Sequence, residues 1–237
     1  MTASAGASNR FDPETLGSLD EPVRRYLTHA ISEGALLPDG VRLTMVGRIK
    51  VGVWLPFGAE EELDGRSFEW RARVGAGPLT VLTAVDRFRG DEGSTTVRLL
   101  GRARVVAAHD ENTTRSAAGR AAAEAIWCPS SLLPERGVDW RCESDELIVA
   151  TWSVPPERPE LSLRIDDRGA LVSCSVPRWG KAGRATYGYI ACGGGVHAER
   201  RFGDLVLPSH LTVGWEFDTP RYVPFFEARI VEAAPLR

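Results

Sequence analysis

Apolar residues recur at every second position through most of the chain between residues 41 and 231, and one alanine-rich stretch, 116–127, breaks that rhythm. A period of two belongs to strands, whose successive side chains point to opposite faces. Leu43 and Met45 keep it, as does the run Ile49-Lys-Val51-Gly-Val53. Phe68, Trp70, Ala72 and Val74 share one face, with Glu69, Arg71 and Arg73 on the other. One apolar and one polar face is the pattern of an antiparallel sheet solvated on one side. Further strands are expected at 79–88 and 95–107, divided by turn signals at 75–78 and 90–93. Beyond Pro134 they are expected at 138–142, 147–154, 161–165, 171–176, 185–192, 196–202, 211–217 and 225–231. Asp167-Arg-Gly169 reads as a hairpin turn, and Pro155, Pro156 and Pro159 read as a loop.

Two segments carry helical spacing instead. Ser18-Leu-Asp-Glu21 matches a capping box and is followed by Pro22. Leu19, Val23, Tyr26, Leu27, Ala30 and Ile31 then recur as on a helix, predicted from about 19 to 33 and ended by Gly34. The 116–127 segment is predicted helical from its alanines, with a Thr or Ser cap and Pro129 as its stop. Ala118, Ala122 and Ala125 give it a smooth stripe for close packing, while Arg120, Glu124 and Trp127 share another face. Residues 1–17 are small and polar and read as a disordered tail, leaving 18–237 as a single domain. The expected fold is α+β and mostly antiparallel: a strongly curved sheet, a half-barrel, wrapped around the inserted helix, with an N-terminal helix besides. A helix-grip arrangement with a cavity is the alternative, and either can hold an apolar ligand or be filled by side chains.

Composition narrows the function classes. Lys and Arg number 29 against 32 Asp and Glu, a net charge of -3, without the basic excess that a nucleic-acid binder needs to neutralise phosphates. No apolar run approaches the roughly 20 residues that span a bilayer. The opening residues lack the apolar core of a signal peptide, so a cytoplasmic location is expected. Cys128, Cys142, Cys174 and Cys192 form no C-x-x-C pair and read as reduced thiols. Cys192 precedes Gly193-Gly-Gly195, read as a bulge or hairpin where a backbone could approach a ligand closely. Those glycines lack the Lys-Ser/Thr and strand–turn–helix context of a phosphate loop.

Several strings resemble a bacterial family of uncharacterised proteins, the DUF6544 (also DUF6920) type. They are Glu21-Pro-Val-Arg-Arg-Tyr-Leu27, Val53-Trp-Leu-Pro-Phe-Gly-Ala59, Phe68-Glu-Trp-Arg-Ala72, Leu132-Leu-Pro134, Gly137-Val-Asp-Trp140 and Val213-Gly-Trp215. The most specific is Arg115-Ser-Ala-Ala-Gly-Arg-Ala-Ala-Ala-Glu-Ala-Ile-Trp-Cys-Pro129. One departure is Ala191-Cys192-Gly193-Gly194, where the resemblance implies Pro-Phe-Gly-Gly. The family brings no activity with it. What it implies is one unit over about residues 20–230. The fold expectation is also similar to lipoprotein-carrier half-barrels, which hold acyl chains against an inserted helix.

Among candidate residues, Arg120 is read as an anchor for a carboxylate or phosphate head group with Glu124 orienting it, against a structural Arg–Glu pair that pins the helix to the sheet. Trp127 and Arg115 join this ligand-binding set, as does Trp54, because the break Trp54-Leu-Pro-Phe57 is expected to be a loop at a cavity mouth. Most of the seven tryptophans read as core. The four histidines show no metal spacing, so neither metal nor cofactor is expected. His109-Asp110-Glu111 and His197-Ala-Glu199 each offer a base beside an acid, Ser130, Ser131 and Ser209 read as surface hydroxyls, and Asp86-Arg87 and Arg178-Trp179 are polar clusters without a spacing signature. Three readings follow in order: non-catalytic binding of an apolar or lipid-like small molecule, an interaction or structural module with a filled core, and a hydrolase- or isomerase-type enzyme using His109 or His197.

Overall fold

The structure, a computed structural model, describes residues 9–76 and 79–236. Six strands precede the alanine-rich segment: β1 (Gly40–Val51), β2 (Val53–Leu63), β3 (Phe68–Ala76), β4 (Leu79–Arg89), β5 (Glu92–Leu99) and β6 (Ala103–Ala108). Seven follow it: β7 (Asp139–Cys142), β8 (Leu147–Thr151), β9 (Glu160–Ile165), β10 (Leu171–Gly180), β11 (Gly188–Phe202), β12 (Leu205–Trp215) and β13 (Val223–Leu236). Helix α1 is Glu21–Ala30 and α2 is Glu111–Glu124, and α2 runs on into 3-10 turns at Ala125–Trp127, Pro129–Leu132 and Pro134–Arg136.

The strands form one antiparallel sheet in the order β6-β5-β4-β3-β2-β1-β13-β12-β11-β10-β9-β8-β7. Two meanders therefore meet in the middle, where Leu43 lies opposite Ala233 and Gly47 opposite Ala228. The chain leaves the first meander at one outer edge, β6, and re-enters at the other, β7. Helix α2 and its 3-10 turns make that crossing over one face. So many twisted strands must curl, and here they curl around their own crossover: α2 packs on β4 and β5 from one half and on β10 from the other. Edges β6 and β7 do not pair, so the curved sheet stays unclosed. The expected half-barrel wrapped around an inserted helix is the fold. Helix α1 lies on the second half, against β7, β8 and β12, with Val23, Tyr26, Leu27 and Ala30 buried. No helix among the described residues is long and apolar enough to cross a membrane.

Several local expectations give way. From Asn9 onward the chain is tied down: Phe11 and Leu16 are buried and Phe11 exchanges backbone hydrogen bonds with Gly34 and Ala35. Two apolar anchors suffice to hold what composition marked as tail. The capping box is not made, since Asp20 is the N-cap of α1 and makes no side-chain cap bond, and the helix stops before Gly34 because Ile31 turns extended to bridge Leu205. Residues 49–53 are not one strand. Val51 lies opposite Val53 across a reversal at Gly52 (φ +74°), so the alternation keeps its phase through the turn and hides it. Trp54–Phe57 is consequently strand, not loop. Pro56 is tolerated because β3 pairs with β2 only from Phe57 onward, leaving Pro56 at an edge. The 95–107 segment folds back at Leu100 and Gly101 into two strands. Of the turn signal at 75–78, Gly77 and Pro78 lie outside the described residues.

The glycine run at 193–195 is no hairpin either. β11 passes straight through it, with Gly193 opposite Ser175 and Gly214, and Gly194 opposite Cys174 and Val213. A Cβ on Gly194 would lie 1.7 Å from the Thr212 carbonyl oxygen. The glycines mark where neighbouring strands press together. Helix α2, finally, begins five residues before the alanine run, because the Asp110 carboxylate accepts from the Thr113 backbone N–H as its cap.

Candidate functional site

Two inward positions that alternation assigns to apolar side chains hold carboxylates. On β2 the buried series is Phe57, Ala59, Glu61, Leu63, and on β4 Asp86 falls in phase with the buried Phe88. Trp70 lies between them on β3, directly opposite Glu61 on one side and Asp86 on the other. The three thus form a row across adjacent strands, facing α2.

Arg120 of α2 meets that row. Its Nη2 donates to Glu61 Oε1 (2.9 Å), its Nη1 to Asp86 Oδ2 (2.9 Å) and its Nε to Glu124 Oε1 (2.6 Å). The guanidinium also stacks over Phe68, 4.4 Å from the ring centre, and lies 5.3 Å from that of Trp70. One cation thus faces three carboxyl groups in a site where Glu61 is only 1% exposed. Burial, seconded by the Glu124 charge and resisted by Arg120, holds the Glu61 carboxyl well above the ordinary carboxylate range. Burial works against the Arg120 charge, but the surrounding carboxylates outweigh it and its pKa rises. Each nitrogen of one guanidinium thus donates to a different carboxyl group, and Glu61 is the one whose protonated form burial favours.

Beside this cluster lies a cavity of about 180 Å³ between α2 and the concave face. Its apolar wall includes Ile49, Trp70, Leu211, Val213 and Phe226, and Trp127 roofs it with the indole anchored by an Nε1 hydrogen bond to the Pro208 carbonyl (3.0 Å). Asp86, Arg120 and Glu124 bound its polar end, together with Arg178, which donates from Nε to the Ser116 carbonyl (2.9 Å) and stacks over Trp215. Gly193 and Gly194 line it too, as do Cys174 and Cys192. Burial pushes the Cys174 thiol up to about 12 and raises that of Cys192 as well, so both are inert wall at neutral pH.

Of the ligand-binding set expected from sequence, Arg120, Glu124 and Trp127 come together at this cavity. Trp127 reaches it from a 3-10 turn rather than from the helix face. Arg115 points elsewhere: it donates to Glu157 (2.6 Å) and the Tyr189 hydroxyl (2.8 Å) and lies 3.6 Å from the centre of the Trp179 ring. Five residues from Arg120 on a helix is a different face. Trp54 sits exposed on the outer side of the sheet near Arg48, nowhere near the cavity. Arg120 is also no free anchor for an anionic head group, because each of its three nitrogens already donates to a carboxyl group of the protein.

The histidines lie away from the cavity. His29 bonds Glu199 (2.7 Å), His197 bonds Thr212 (2.8 Å) with its ring tilted against that of His210, His109 is exposed, and its neighbour Asp110 is spent as a helix cap. Neither expected base–acid pair forms. Ser130 and Ser131 are buried, not on the surface, and donate to the carbonyls of Pro38 and Cys128, which fixes the 3-10 turns that follow α2. Glu61, Asp86 and Arg178 were not singled out as a site by sequence. The signal available was a carboxylate in the apolar phase of a strand.

Comparison with curated proteins finds no match. Among solved structures, a DUF1329 family protein from Desulfovibrio piger superposes with a TM-score of 0.48 at 11% identity, over 95% of this chain and 94% of that one. A LolA superfamily protein from Nitrosomonas europaea gives 0.48 at 8% identity (91% and 92% covered), and a putative outer membrane lipoprotein-sorting protein domain from Vibrio parahaemolyticus gives 0.45 at 7% (94% and 93%). The model of a family of unknown function, DUF6544, matches residues 9–228, and the chain belongs to that family.

Proposed function

We propose that this protein binds a small apolar molecule, without catalysis, in the cavity between the curved sheet and α2. The observation that carries the reading is the cavity itself: about 180 Å³, walled mainly by apolar and aromatic side chains, with a few polar groups gathered at one end. That is the composition of a small-molecule site, and an apolar cavity of about 150 Å³ is enough to take up benzene. Nothing around it supplies a base–acid pair from the histidines. The cytoplasmic location expected from the sequence belongs to the same proposal, and cell fractionation checks it.

Native mass spectrometry and organic extraction of the purified protein test the reading. A non-covalent mass released by solvent is expected, and it should be lost in Ala123→Phe, which places a ring from α2 into the space. Protein that carries nothing, and takes up apolar probes no better than the filled variant, would end it. A second reading, an interaction module, is favoured by one feature: Leu99 and Leu100 are exposed at the β5–β6 turn, and Val105 and Val106 on β6, the outermost strand, whose far edge is unpaired. Self-association that disappears on Val105→Lys would support that reading.

A further inference from the structure

The polar end of the cavity holds a mismatch that the protein itself does not resolve. Among the described residues, Trp70 Nε1, Asp86 Oδ1, Glu61 Oε2 and Glu124 Oε2 are buried without a hydrogen-bond partner. Unmade bonds of this kind are costly and uncommon in native interiors. Glu61 does not line the cavity, and burial raises its carboxyl toward the protonated form, which can share its proton with the neighbouring Glu124. What is left is one donor, the Trp70 indole N–H, and one acceptor, Asp86 Oδ1. These residues lie directly opposite each other on β3 and β4, and both line the cavity. Opposed side chains in an antiparallel pair start about 4.5–5.5 Å apart at Cβ, so one small group can touch both.

We propose that the ligand of this cavity bears a hydroxyl, which accepts from the Trp70 indole and donates to Asp86 Oδ1, on an apolar body that fills the remaining space. This deepens the binding reading above and rests on it. A hydroxyl is the smallest group that gives and takes a hydrogen bond at one atom. A carboxylate has no proton for Asp86 and would set its oxygens against those of Asp86 and Glu124. An ammonium has no lone pair for the indole and would lie beside Arg120, whose Nη1 is 2.9 Å from Asp86. An ether oxygen satisfies Trp70 but leaves Asp86 unpaired. The volume sets the size somewhat above benzene, at roughly seven to nine heavy atoms, since a cavity of about 150 Å³ holds that six-atom ring.

The test titrates the full-length protein with 1-octanol, its isostere heptyl methyl ether, octanoate and octylamine at neutral pH, read by indole fluorescence and calorimetry. The alcohol is expected to bind roughly tenfold or more tightly than each of the others, the scale of one buried hydrogen bond left unmade. Trp70→Phe keeps the aromatic body, and it should weaken 1-octanol by about tenfold for the same reason. If the ether, octanoate or octylamine equals or beats the alcohol, the hydroxyl proposal falls while the cavity reading stands. If none of the four binds, the cavity reading falls and takes the proposal with it. Should Trp70→Phe fail to fold, the alcohol–ether comparison on the unaltered protein decides alone.

Discussion

The sheet holds its two helices by different physics. Around α1, the second meander is filled in the ordinary way: Ile148, Ala150, Trp152, Leu161 and Leu163 are fully buried, and the one polar atom of Trp152 is satisfied by the Gly65 carbonyl (3.1 Å). Around α2, the first meander presents Glu61, Trp70 and Asp86 to an arginine, and packing leaves a cavity. A core of apolar side chains gains stability with each buried atom and has nothing to discriminate. A core with an ion cluster gains little net stability, because desolvation offsets attraction, but it fixes which partners are tolerated. The difference teaches that the core beneath α1 is apolar packing alone, whereas α2 lies between charged groups from the first half and a cavity wall drawn largely from the second.

Substitutions can break this comparison or sharpen it. The largest loss is expected in the apolar half: Trp152→Ala should cost about 3–5 kcal/mol in denaturant unfolding while leaving probe binding to surviving folded protein unchanged. Arg120→Met should come next, at roughly 3–4 kcal/mol, because it strands buried carboxylates, and it should abolish probe binding as well. Gly194→Ala, forcing a Cβ against the Thr212 carbonyl, is expected to cost about 1–3 kcal/mol by overpacking, read in the same unfolding curves.

A finer contrast lies in pH. The folded-state pKa of Glu61 is raised above its ordinary value of 4.5, so across that interval the folded protein holds a proton that the unfolded chain has released. Unfolding free energy should therefore fall as pH rises from 4.5 toward the folded pKa, and Glu61→Gln should flatten that slope at little cost at neutral pH. Denaturation at a series of pH values would show it, and an unchanged slope in the variant would assign the cluster a different charge state. The smallest effect is expected from Trp54→Ala, on the outer face: within about 0.5 kcal/mol and no change in binding.

Much of the fold was legible because alternation is a local record of which face each strand turns to the core. The inserted helix was legible for the same reason: its alanines break the period. Turns that preserve parity, as at Gly52, leave no trace in that record, so alternation alone makes the hairpin look like one strand and sets Trp54 at a mouth. Arg120, Glu124 and Trp127 could be grouped because they are close in sequence. Glu61 and Asp86 could not be tied to them, since those pairs are 59 and 34 residues away and meet only through strand register.

By itself, the sequence determined two things: that strands with one apolar face must fold onto a small-residue rod, and that Arg120 and Glu124 share a side of it. The tertiary structure decided the rest. Crossing from one outer strand to the other brings α2 over the concave face, and only that path sets two off-pattern carboxylates and an indole around one guanidinium. Side-chain period is written in neighbours a few residues apart, whereas the charge, the volume and the unmet hydrogen bonds of a cavity depend on which distant segments arrive there.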